Sequence, residues 1–390
     1  MKTQVGIIGG GPSGLLLSQL LYVNGIDSVV LEKHSKQHVL SRIRAGLLEQ
    51  GTTQMLDEAG VAAGLSKNGL EHEGVDLVFE GRSCRVDFFG LTGKKMTIYG
   101  QTEVTRDLYE AREKSAGCVL HEVSDISLSA LDTEKPEIGF YHHDQAKSLQ
   151  CDFVVGCDGY HGVSRMAMPE AIKREYQSSF PFGWLGVLSE TPPVSPELVY
   201  AYHQRGFALC SMRSTTRSRY YIQVPLDEQI DDWSDDRFWE ELKKRLPPGL
   251  ARELITGPSI EKSIAPLRSF VCEPMRWKSL FLAGDAAHIV PTTGAKGLNL
   301  AVSDVRYLSR ALSKYYQSRD SRGLDNYSRQ ALARVWKSSR FSWSLTQLLH
   351  QPYDRDSAFS SRIRRAEFEY LLTSEVARLS FAENYVGLPY

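Results

Sequence analysis

The run Gly9-Gly10-Gly11-Pro12-Ser13-Gly14 constrains this chain more than any other segment. An apolar stretch, Gln4–Ile8, precedes it. Leu15, Leu16, Leu20 and Leu21 follow at helical spacing, and Asn24-Gly25 ends the helix before a second apolar stretch, Ser28–Leu31. Strand, glycine turn, helix and strand make a βαβ unit, which implies a parallel sheet. Gly9 suits the tight turn, and Gly11 lets the backbone approach a pyrophosphate held at the positive helix end, which Ser13 helps to open. Gly14 allows helix and strand to pack closely. Glu32 ends the second strand, 18 residues past Gly14, where it can accept from both hydroxyls of a ribose. The same spacing serves NAD and FAD alike, and a lone glycine-rich corner with a surface glutamate would look similar.

A chain of 390 residues suggests two or three domains. Hydrophobic residues at 42% and a formal charge of −1 exclude a disordered chain and argue against nucleic acid or a polybasic membrane anchor as partners. Six cysteines, at 84, 118, 151, 157, 210 and 272, show no C-x-x-C spacing; no metal site is expected, and reduced thiols in a cytoplasmic setting are. No apolar stretch reaches the length of a membrane span, and the polar interruptions of the first segment argue against a signal peptide.

Two further apolar strands are expected at Cys151–Cys157 and Leu280–Ala283, each followed by a glycine–acid pair. Between them lies a different texture: Leu198–Tyr202, Phe207–Met212 and Tyr220–Val224 read as strands of an antiparallel meander. Ser234–Leu246 reads as a helix capped by Ser234 and stopped by Pro247-Pro248. Leu298–Leu312 reads as a buried helix, and the remainder as mostly helical. The expected class is therefore α/β, a Rossmann-like parallel-sheet domain interleaved with an antiparallel-sheet (α+β) insertion and closed by C-terminal helices.

The three glycine–acid corners, Gly9–Gly14 with Glu32, GCDGYHGVSR at 156–165 and LFLAGDAAHIVP at 280–291, together resemble the signatures of the FAD-dependent aromatic hydroxylases. The likeness extends through MKTQV, RIRAG, YGQTEVTRDL, FPFGWLG, RGFALCS, RSRYY, EKSIAPLRSFV, TGAKGLNLA and AENYVGLPY, over essentially the whole chain, and is closest to members that hydroxylate 4-hydroxybenzoate. The resemblance implies bound FAD, NADPH or NADH as reductant, O2, and a C4a-hydroperoxyflavin that delivers oxygen to the 3-position, giving 3,4-dihydroxybenzoate. It also implies a cytoplasmic homodimer in aromatic catabolism. Its domains would be a discontinuous FAD-binding domain (1–70, 98–178 and 268–350), a substrate-binding sheet domain (71–97 and 179–267) and a C-terminal helical segment (351–390).

By resemblance, Gly9, Gly11, Ser13, Gly14, Glu32, Arg42, Arg44, Gln101, Asp158, Gly284, Asp285, Gly297, Leu298 and Asn299 hold FAD, the last three as a helix start facing the flavin pyrimidine edge. The resemblance also implies that Lys33, Arg42, His161 and Arg268 hold NAD(P)H; with no second Rossmann signature, the reductant would bind transiently in a cleft and not in a domain of its own. Ser211, Arg213 and Tyr221 would clamp the substrate carboxylate, a task suited to a planar guanidinium, with Arg219 in support. Tyr200, Tyr385 and His72 would relay the phenol's proton to water, histidine being the residue that titrates near neutrality. Thr292 stands where the family has proline, its carbonyl expected beside the substrate hydroxyl. A dehydrogenase would leave the second and third corners idle. A disulfide reductase needs a cysteine pair earlier than Cys84, and a flavin sensor has no need of the tyrosine–arginine set. A hydroxylase of 3-hydroxybenzoate or 4-aminobenzoate is the nearest alternative.

Overall fold

The computed structural model describes residues 1–42, 46–351 and 357–390. A six-stranded sheet runs in the order Arg276–Trp277, Leu280–Leu282, Phe153–Gly156, Val5–Ile8, Ser28–Leu31, Cys118–Leu120. All neighbours are parallel except the edge pair Arg276–Trp277 and Leu280–Leu282. Val5–Ile8, Ser28–Leu31 and Phe153–Gly156 are buried at every position, which is why they read as unbroken apolar runs. The glycine turn leads into the helix Pro12–Val23, with Pro12 at the helix start, where its missing N–H is harmless. That helix packs against Gln101–Lys114 and Gly297–Ser318.

An eight-stranded sheet forms the second layer system, in the order His288–Ile289, Ser259–Glu273, Arg174–Ser189, Ser218–Pro225, Ala208–Met212, Leu198–Tyr202, Gly74–Phe79, Arg82–Asp87. Its neighbours are antiparallel apart from Leu198–Tyr202 beside Gly74–Phe79. Alternation along the strands sends side chains to two faces. Leu185, Val187, Tyr220 and Ile222 pack on Phe238, Trp239 and Leu242 of the helix Asp235–Arg245. Trp184, Tyr200, Phe207 and Leu209 pack towards the helices Arg322–Leu349, Ser357–Thr373 and Glu375–Val386.

The meander and the helix capped by Ser234, whose Oγ accepts from Arg237 N–H at 3.1 Å, form as expected. Pro247-Pro248 ends that helix, but Pro248 also begins a short one, Pro248–Glu253. The two long strands Arg174–Ser189 and Ser259–Glu273 were not legible, because Arg174–Ser179 is exposed and polar, without an apolar period. All six cysteines are free. Among the described residues no helix is long and apolar enough to cross a membrane.

Candidate active site

The three glycine–acid corners meet. Gly9 holds φ +108°, and a Cβ there would come within 2.2 Å of the Cys157 carbonyl, so the first corner closes directly on the second. Gly284 holds φ +62°, and a Cβ there would lie 2.9 Å from Ser13 Oγ, which joins the third corner to the first. Gly11 and Gly297 differ: a Cβ on either would meet nothing within 4 Å, so both open onto free space. Each lies at a helix start that no side chain caps. Uncapped N–H groups beside open space are what a pyrophosphate and an anionic ring edge require. Glu32 is buried; its Oε2 accepts Gly10 N–H at 2.6 Å and its Oε1 accepts His34 N–H at 2.8 Å, leaving lone pairs for a ribose. These residues fit FAD.

Other expected cofactor residues have structural duties. Asp158 Oδ2 accepts both the N–H and Oγ–H of Ser164 at 2.9 Å, fixing the second corner, while its Oδ1 is left without a partner. The Asn299 side chain is fully employed: its Oδ1 accepts from Glu49 N–H and Thr52 Oγ1, and its Nδ2 donates to the Leu47 and Ala295 carbonyls. Only its backbone and those of Gly297 and Leu298 remain for a ligand. Asp285 is exposed beside the corner, and Gln101 begins a helix. Arg44 lies outside the described residues.

Beside the third corner, Tyr200 and Tyr385 converge. Their hydroxyls are 2.8 Å apart, and Tyr200 also donates to the Thr293 carbonyl at 3.0 Å, shortly before the helix start at Gly297. Both rings are buried, and burial is the main cause that pushes both phenols above their ordinary range. They therefore stay protonated near neutrality. The Thr292 carbonyl, expected beside the substrate hydroxyl, accepts Ala295 N–H at 3.0 Å. His72 is 1% exposed, and neither ring nitrogen has a hydrogen-bond partner. Burial lowers its pKa to about 4, so the ring is neutral, and no described hydrogen bond joins it to the tyrosine pair.

The meander register sets Ser211 opposite Arg219 and Leu209 opposite Tyr221, with Gly186 on the far side of Tyr221. Arg213 lies just past the strand end, at Met212. Arg219 is spent on Glu261, at 3.0 and 3.2 Å, and stacks over Tyr221. Among the described residues no carboxylate pairs with Arg213. Arg213 itself is partly buried. Burial, with Arg219 near by, disfavours its charge, while the Tyr221 hydroxyl and the Glu103 carboxylate favour it. A carboxylate reaching Arg213 would meet a guanidinium that, among the described residues, no ion pair occupies.

A family profile described as an FAD binding domain matches residues 2–342. The chain is 54% identical to the p-hydroxybenzoate hydroxylase of Acinetobacter baylyi over 391 aligned positions, covering all of this chain and 96% of that one. It belongs to the FAD-dependent aromatic hydroxylases. A 3-(3-hydroxy-phenyl)propionate/3-hydroxycinnamic acid hydroxylase of Paraburkholderia xenovorans is 23% identical over 80% of this chain, which spans about half the length of that relative. Among solved structures, the p-nitrophenol 4-monooxygenase PnpA of Pseudomonas putida superposes over the whole of both chains with a TM-score of 0.83 at 19% identity, a likeness of fold.

In this aromatic hydroxylase the residues expected for NAD(P)H form a looser group. His161 stands edge-on to Tyr160 at 4.9 Å, and the Arg268 guanidinium lies 4.0 Å over the same ring. Lys33 and Arg42 are exposed near the first corner, with no described contact to that cluster. Sequence reasoning missed a buried charge cluster at the start of the helix Gly297–Ser318. Lys296 Nζ donates to Glu49 Oε1 at 2.7 Å and to the Tyr385 carbonyl at 2.6 Å, and Arg334 reaches Glu49 Oε2 at 3.1 Å. Nothing in the sequence around Lys296 signals burial. Also missed is the aromatic wall: Trp184 Nε1 donates to His350 Nε2 at 2.7 Å, and Phe207 stacks on both rings.

Proposed function

We propose that this FAD-dependent aromatic hydroxylase acts on 4-hydroxybenzoate, converting it to 3,4-dihydroxybenzoate with NADPH and O2. The observation that carries this reading is the hydroxyl pair of Tyr200 and Tyr385, tied through the Thr293 carbonyl to the segment that opens the flavin-facing helix. FAD, when bound, supplies reducible ring chemistry that activates oxygen. The chain's own residues do the rest. Arg213, with Ser211 and Tyr221, fixes the carboxylate end of the ring. Tyr200 takes the hydrogen bond of the substrate hydroxyl at the other end, and draws its proton towards Tyr385 as the ring becomes electron-rich. Because burial keeps both tyrosines protonated, they pass a proton by exchanging donor and acceptor roles rather than by ionising. Lys296 and Arg334 share the single carboxylate of Glu49, so the cluster near the helix start holds two basic groups against one acid, which favours an anionic partner there. His72 is the proposed far end of the relay. His161 and Arg268 around Tyr160, with Lys33 and Arg42, are the proposed site for the reductant.

The Glu375–Val386 helix that carries Tyr385 follows a helix with an exposed apolar stripe, Phe359, Ile363 and Tyr370. That stripe supports a homodimer, and the free thiols support a cytoplasmic setting. The deciding experiment supplies the purified enzyme with NADPH and a panel of 4-hydroxybenzoate, 3-hydroxybenzoate and 4-aminobenzoate. Oxidation of NADPH matched one-for-one by 3,4-dihydroxybenzoate is the expected result. Peroxide in place of product with 4-hydroxybenzoate, and product with another acid, would overturn the substrate assignment.

A further inference from the structure

The chain holds a buried acid–base pair that the chemistry above does not use. Asp304, on the helix Gly297–Ser318, and His288, on the short edge strand His288–Ile289, are each 1% exposed. Asp304 Oδ2 lies 2.6 Å from His288 Nε2 and accepts Gly284 N–H at 2.9 Å. One oxygen thus joins the flavin-facing helix, the third glycine–acid corner and the edge of the antiparallel sheet. A Cβ on Gly284 would lie 2.9 Å from Ser13 Oγ and 3.2 Å from Ala301 Cβ, so the corner is wedged between the two helices whose uncapped starts border the open space.

We propose that Asp304 and His288 are positioning residues for FAD: their pair locks the Gly284-Asp285 corner to the helix Gly297–Ser318 and holds the two gripping surfaces at one spacing. The proposal rests on the FAD site described above. A packing role alone explains the pair poorly. Buried ion pairs are often replaceable by apolar residues without loss, and here Asp304 Oδ1 and His288 Nδ1 are each left without a partner. What hydrocarbon cannot do is accept the Gly284 N–H while gripping a second donor. Burial opposes a charge on His288, while Asp304, through its charge and hydrogen bond, and Asp285 favour it and raise its pKa.

The test is titration of the apoprotein with FAD, followed by quenching of flavin fluorescence, beside urea unfolding of the same apoprotein. Binding of FAD by the wild-type protein checks the site itself, separately from the pair. Asp304→Ala should weaken FAD at least tenfold, while 4-hydroxybenzoate affinity at saturating FAD stays within twofold. His288→Gln, whose amide can still donate to Asp304, should recover most of the affinity lost in His288→Leu. FAD binding within twofold of wild type in Asp304→Ala, or equal weakening by Gln and Leu at position 288, would overturn the proposal. Should Asp304→Ala fail to fold, Asp304→Asn keeps an acceptor for Gly284 and should weaken FAD by an intermediate factor; unaltered affinity there would overturn it equally.

Discussion

The glycine corners and the proposed substrate pocket are built in opposite ways. The corner is backbone: Gly9 and Gly284 at positive φ, Gly11 and Gly297 without side chains, and two uncapped helix starts. The pocket is side chains, brought from positions as far apart as the 185 residues between Tyr200 and Tyr385. A site made of backbone tolerates almost no substitution but takes a generic ligand part. A site made of side chains can be altered one group at a time, and its specificity lies in those groups.

That contrast is best attacked where the effect should be largest. Gly9→Ala forces an alanine to φ +108° with its Cβ 2.2 Å from the Cys157 carbonyl. It should cost about 3 kcal/mol or more, seen as a lower urea midpoint, and yield protein without flavin after gel filtration. A yellow, stable Gly9→Ala protein would break the view that the corner is rigid. Arg213→Ala should act on the pocket alone. Loss of the buried charge-assisted contact should weaken 4-hydroxybenzoate by about 2–3 kcal/mol, roughly 30- to 150-fold. FAD affinity should not move; if it does, the two regions are not separable.

Tyr200→Phe sharpens the comparison within the pocket. Flavin reduction by NADPH should persist, while product formation falls roughly 10- to 100-fold, within or below the usual contribution of a proton-transfer group, and peroxide rises. Full coupling in that variant would remove the relay. The smallest effect is expected at His72, whose folded-state pKa of about 4 lies below its ordinary 6.5. The unfolded chain then binds the extra proton first as pH falls, so the stability present above pH 6.5 is lost towards pH 4. His72→Asn should remove roughly 1 kcal/mol of the stability loss between pH 7 and 5.5, measured by urea unfolding. An unchanged slope would mean the ring is not held neutral.

How much could be read beforehand follows the same division. The parallel sheet, the glycine turn and Glu32 were legible because their signals are local: buried strands give apolar runs, and a turn that needs positive φ needs glycine. The meander was legible for the same reason, and the half-exposed strand Arg174–Ser189 was not. Tyr200, Arg213 and Tyr385 carry no local mark, and only the likeness to known hydroxylases singled them out. Asp158 was singled out by the same likeness; that one of its oxygens holds Ser164 while the other has no partner is visible only in the fold.

The sequence by itself determined where the chain must turn tightly, which strands are buried and that a dinucleotide would lie across helix starts, since these depend on neighbours within a few residues. Only the tertiary structure decided that Lys296, Glu49 and Arg334 share one buried cluster, that Asp304 grips Gly284, and that Arg219 is ion-paired with Glu261 while Arg213 has no ion pair among the described residues. Burial and pairing are properties of distant segments meeting, and a charge acquires its chemical meaning from what else has been excluded from water beside it.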